Sequence, residues 1–100
     1  MREPKDPPCE PAPEGLKGDR LLDTLGLFCP VPIVRTAETV RKMEAGDVLE
    51  VLSDDRVILL DMPAWCRSMG HDYLGWRRER SEYRLFVRKG TRAAARAAAR

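Results

Sequence analysis

Pro30 and Pro32 bracket a single valine, and that spacing constrains the chain more tightly than any other feature of the sequence. Neither proline has a backbone N–H, so neither suits the interior of a strand or a helix. Both suit the first turn of a helix, where N–H groups have no intrahelical partner. The stretch before them, Leu21 to Phe28, is largely apolar. After them, Ile33, Ala37, Val40 and Met43 recur three or four residues apart, with Arg35, Glu38, Arg41 and Lys42 on other faces. The chain therefore leaves a strand and enters a helix at this point, and Cys29 stands at the junction.

The remaining elements follow from pattern and punctuation. Arg20 to Leu25 reads as a strand, and a helix runs from about Pro30 to Glu44 before Gly46 stops it. Asp47 to Ser53 is rich in branched apolar residues and reads as a strand. Asp61-Met62-Pro63 opens a second helix, with Asp61 as N-cap and Pro63 in the first turn, ending at Met69 before Gly70. The intervening Arg56 to Leu60 reads as an apolar helical turn in preference to a short strand. Asp72 to Arg78 and Glu82 to Arg88 form a terminal hairpin. The order β-α-β-α-β-β predicts an α+β fold: a two-layer sandwich with a four-stranded mixed sheet and both helices on one face. Trp65, Trp76 and Phe86 read as core or sheet packing. The uncovered face makes Trp76 or Phe86 the candidate for an exposed partner patch.

The ends differ from the middle. Residues 1 to 18 hold five prolines and seven charged residues, a composition that reads as a disordered leader. Residues 90 to 100 form a low-complexity Ala/Arg tail. Residues 19 to 89 are the folding unit. The leader carries three basic and four acidic groups, residues 19 to 87 ten and twelve, and residues 88 to 100 five and none. The folded part is thus slightly acidic, which argues against direct nucleic-acid binding. No stretch approaches a membrane span and no signal pattern opens the chain, so the expected compartment is the cytoplasm.

Of the three cysteines, Cys9 lies in the leader, and Cys66 follows Trp65 in the second helix and reads as a buried structural thiol. Their spacing suits no metal site, and His71, next to Gly70, reads as satisfying local backbone groups. Cys29 is the candidate nucleophile, the bland alternative being a small buried hydrophobe at a helix start. Unpaired N–H groups and the helix dipole favour thiolate, so the sequence predicts a Cys29 pKa of roughly 5 to 7.5 in place of the usual value of about 8.5.

The segment Leu25-Gly26-Leu27-Phe28-Cys29-Pro30-Val31-Pro32, with Asp54-Asp55, Asp61-Met62-Pro63 and Gly70-His71 in that order, resembles the TusA/SirA family of small sulfur carriers over about Leu21 to Lys89. The resemblance implies a βαβαββ fold and a sulfane sulfur carried as a persulfide on Cys29, within the motif completed by Pro30 and Pro32. It also implies a cysteine desulfurase or rhodanese-like donor, a downstream sulfur-accepting protein, and no cofactor beyond the covalent sulfur. Such a protein acts by trans-persulfidation, as a carrier and not as a free-standing enzyme. Arg41 and Asp55 are candidate docking charges. The pathway served, whether tRNA thiolation, molybdenum-cofactor synthesis or sulfur oxidation, stays open. Two alternatives belong to other classes: a thiol redox protein pairing Cys29 with Cys66, and a non-catalytic adaptor or regulator using the sheet face and basic tail.

Overall fold

The computed structural model describes residues 17–90. Most of the leader with Cys9, and the tail beyond Gly90, lie outside the described residues. The elements run β1 (Arg20–Asp23), α1 (Val31–Arg41), β2 (Val48–Ser53), α2 (Ile58–Met69), β3 (Asp72–Glu79) and β4 (Glu82–Arg88). The four strands form one sheet in the order β1-β2-β4-β3. β1 and β2 are parallel because α1 carries the chain back between them, and the other two pairings are antiparallel.

One sheet face and both helices enclose the core. Leu49 and Val51 of β2 and Tyr83, Leu85 and Val87 of β4 meet Ile58, Leu59, Met62 and Cys66 of α2, with Val40 and Met43 closing the α1 side. Burying each large apolar side chain contributes about 1.5–3 kcal/mol. Along α1 the buried stripe is Pro32, Thr36 and Val40, while Ile33 and Ala37 are half-buried. Residue type alone hid Thr36. Its hydroxyl donates to the Pro32 carbonyl at 2.8 Å, so it enters the interior without an unpaired group.

Both helices depart from their expected limits. Pro30 is the N-cap of α1 and lies outside the helix, which ends at Arg41. The chain then tightens through Lys42 N–H to Thr39 O and Met43 N–H to Val40 O, both 3.0 Å, short of the expected end at Glu44. In α2 the Ile58-Leu59-Leu60 stretch is the first turn, which agrees with the helical reading of Arg56 to Leu60. Asp61 is not the N-cap. That place belongs to Val57, and Pro63 lies inside the helix. The entry is wound one turn earlier than expected because Asp55 organises it: its Oδ1 accepts the Val57 N–H at 3.0 Å and its carbonyl accepts the Ile58 N–H at 3.2 Å. Gly70, at φ +82°, ends α2 as expected. Gly90 passes so close to this cap that a Cβ there would lie 2.1 Å from the Gly70 carbonyl oxygen.

The sheet face away from the helices is sealed by charge. Arg84 bridges Glu50 and, at 2.8 Å, Glu79, and the Arg77 guanidinium sits 4.9 Å from the Phe86 ring centroid. Phe86 is 0% exposed. Trp76 is half-buried against the core. Neither forms the exposed aromatic patch that an uncovered face suggested.

Candidate functional site

The parallel register Asp23↔Leu52 makes β1 and β2 end side by side. The two strand-to-helix junctions, residues 24–30 and 54–57, therefore emerge from one edge of the sheet, the location where crevices form in sheets of this kind. Side chains from the second junction fasten the first. Asp54 accepts the Gly26 N–H with both carboxylate oxygens, each at 3.2 Å. Asp55 Oδ2 accepts the Cys29 N–H at 2.8 Å while its Oδ1 holds Val57. Beneath them Thr24, fully buried, directs its hydroxyl and its N–H to the Leu52 carbonyl. The backbone around the sulfur is thus held from across the sheet.

Cys29 is exposed and, among the described residues, a free thiol. Its thiol donates to Asp61 Oδ2 at 2.8 Å. That contact, the negative charges of Asp61 and Asp55 and a measure of desolvation raise the Cys29 pKa above its ordinary value. The expected lowering is overturned, chiefly by the Asp61 contact, and the backbone donors near the sulfur are few. Pro30 and Pro32 have no N–H, and Val31 gives its own to the Phe28 carbonyl at 2.9 Å. The cysteine's own N–H goes to Asp55. The motif that places the sulfur at a helix mouth also removes two of the N–H groups that such a mouth would otherwise present.

Apolar side chains on the two junctions and the helix turns that follow them stand open to solvent: Phe28 is 72% exposed and Leu60 62%, with Val31 and Val57 also exposed. Asp55 is a clamp with both carboxylate oxygens bonded within the chain. Arg41 ends α1, roughly 15 Å along the helix axis from the Cys29 end, so the two candidate docking charges are not brought together. Asp61, which its place in the sequence marks as a cap, reaches the sulfur instead. The pairing spans 32 positions and depends on strand register, which composition and periodicity do not reveal.

Cys66 occupies a different environment. It is 1% exposed, and burial is the main reason its thiol is pushed up to about 12, with Asp72 adding to the rise and Arg67 opposing it. A cavity of about 450 Å³ between α2 and β3 is lined by Pro63, Cys66, Arg67, His71 and residues 72–75. Burial and a raised pKa disfavour the thiolate form of Cys66 beside it. His71 Nδ1 accepts the Gly90 N–H at 3.2 Å, as expected of a residue serving local backbone. Burial, then Lys89, lowers its pKa against the pull of Asp72, which suits that neutral acceptor role. No cluster of metal-ligating residues and no helix long and apolar enough to cross a membrane occurs among the described residues.

Known proteins agree with this architecture. YrkF of Bacillus subtilis (strain 168), named as a candidate sulfur carrier protein, is 43% identical over 75 residues, which is 75% of this chain and 40% of YrkF. The chain thus spans about two fifths of the length of that relative. The crystal structure of a SirA-like protein from Desulfitobacterium hafniense superposes with a TM-score of 0.60 at 26% identity, covering 71% of this chain and 97% of the other. The family described as Sulfurtransferase TusA matches residues 20–89, and the chain belongs to that family.

Proposed function

We propose that residues 19–89 form a sulfur carrier in which Cys29 accepts a sulfane sulfur from a donor protein's persulfide and passes it to an acceptor protein. The observation that carries this reading is the placement of Cys29: an exposed sulfur at the meeting point of both strand-to-helix junctions, its backbone fixed by Asp55 and its flanks open and apolar. Two protein surfaces can bring their sulfurs together there, which trans-persulfidation requires. In the loading step the Cys29 thiolate attacks the terminal sulfur of the donor's R–S–SH. The donor's S–S bond breaks, its electron pair leaves with R–S⁻, and that thiolate takes up a proton equivalent to the one Cys29 gave. No oxidant, reductant or cofactor enters. Cysteine desulfurases and rhodanese-like proteins present such a persulfide, and a thiolate on the acceptor protein reverses the roles.

The test is incubation of the protein with a cysteine desulfurase and cysteine, followed by mass spectrometry of the intact chain and its peptides. A gain of one sulfur mass on the peptide containing Cys29, absent from Cys29→Ser, is the expected result. Loss of two hydrogens through a Cys29–Cys66 bond, or no change at all, would overturn the reading.

A further inference from the structure

The transfer of sulfur to Cys29 does not by itself require the carboxylate that touches the reacting sulfur. Asp61 Oδ2 accepts the Cys29 S–H at 2.8 Å, from the first turn of α2. Facing the same sulfur from the second junction is Asp55, and both charges acting on the thiol are negative. Asp54 adds a third carboxylate on the same edge, bonded to Gly26. A carboxylate that accepts a hydrogen bond from a thiol favours the neutral form, because ionisation would place two anions in contact. It is also a poor base toward that thiol, since the ordinary carboxyl pKa lies some four units lower.

We infer that Asp61 is a positioning residue that holds Cys29 as an aimed, unreactive thiol at rest, and that the partner docking on this edge carries a lysine or arginine that engages Asp61 and frees the sulfur. The inference rests on the carrier reading of Cys29. A cation paired with the Asp61 carboxylate removes the hydrogen bond and neutralises the repulsion, so the thiol proton leaves to water or to the departing donor thiolate. The surface fits such a partner. Exposed Phe28, Val31, Val57 and Leu60 supply apolar contact, and the aspartates supply a negative centre for a basic counterpart. A thiol held in this state is protected from stray electrophiles and oxidants, since these react with thiolate.

The experiment follows iodoacetamide alkylation of Cys29 across pH in a Cys9→Ser, Cys66→Ala background. Asp61→Asn is expected to lower the midpoint and raise the alkylation rate at pH 7 several-fold, while Asp61→Glu stays near the native profile. A midpoint that is unchanged or higher in Asp61→Asn overturns the inference. The native protein gives a second reading should that variant not fold: addition of a sulfur-free cysteine desulfurase should lower the midpoint, and an unmoved midpoint in a formed complex overturns the partner arm. In sulfur loading, Asp61→Asn should gain rate from a small-molecule persulfide and lose rate from the protein donor. Equal changes with both would remove the docking role. Absence of sulfur on Cys29 would sink the carrier reading while leaving the alkylation shift intact, so the two failures are distinguishable.

Discussion

The described residues hold the same functional group in two settings, and their contrast explains how one can be chemical and the other structural. Cys29 and Cys66 both have raised pKa values, for different reasons. Cys29 is exposed and held as a thiol by an acceptor, Asp61. Cys66 is held by burial among Ile58, Leu59 and Met62. A restraint imposed by one surface carboxylate is removed when something else binds that carboxylate. A restraint imposed by a hydrophobic core is removed only when the core opens. Readiness for chemistry therefore depends less on the size of a shift than on what would have to move to undo it.

The largest expected break in this comparison is Cys29→Ser, which should abolish sulfur loading while leaving thermal unfolding within about 0.5 kcal/mol of native, as for other exposed substitutions. Normal loading of that variant would show that the exposed thiol is not the chemical one. The converse substitution is Leu59→Ala. Removing this fully buried side chain should cost about 2–5 kcal/mol in urea unfolding without moving the Cys29 alkylation midpoint in the folded protein. A moved midpoint would show that the two regions are coupled.

Cys66 sharpens the comparison through pH. Its folded pKa of about 12 lies above the ordinary thiol value, so the folded state holds a proton that the unfolded chain loses. That contribution is fully present below the unfolded pKa and is lost as pH rises toward the folded one. Stability should thus fall by up to about 1.4 kcal/mol per pH unit above pH ~9. Cys66→Ala should cost about 1 kcal/mol at pH 7, keep sulfur loading, and flatten the alkaline limb in urea titrations between neutral pH and about 10.5. An unchanged slope would mean that Cys66 is not the titrating group. The smallest effect belongs to the β3–β4 turn, far from either thiol in sequence. Arg80 adopts a φ of +59°, a conformation that glycine tolerates and most residues do not, so Arg80→Gly should stabilise by about 0.5–1 kcal/mol in the same unfolding assay. A loss of stability would show that the arginine side chain contributes more than its backbone costs.

Much of this architecture was legible. β4 occupies the residues its alternating pattern marked, and Gly70 ends α2 where a helix stop was due. The prolines did mark the junction that carries Cys29. What escaped was information set by pairing across the sheet. The hold of Asp55 on Cys29 and the reach of Asp61 to the sulfur both follow from the second junction lying beside the first, whereas the start of α2 at Ile58 rests on the local contacts of Asp55 with Val57 and Ile58. Phe86 is buried, as its reading as core or sheet packing expects, but its cover is set by pairing: Arg77 reads as a solvated charge until strand pairing places it over the ring. The direction of the thiol's shift lies beyond the sequence for the same reason: the carboxylate that raises it, Asp61, reaches the sulfur from 32 positions away.

The contacts around Cys29 reach 26 positions forward to Asp55 and 32 to Asp61. During synthesis the cysteine therefore exists before the residues that restrain it, and in an unfolded chain it ionises near the usual thiol value of about 8.5. In the immature protein the sulfur therefore lacks the Asp61 contact that favours its neutral form. Its modification rate becomes a built-in reporter of whether the sheet edge has closed, and the interval before α2 is in place is when the thiol is most open to oxidative damage.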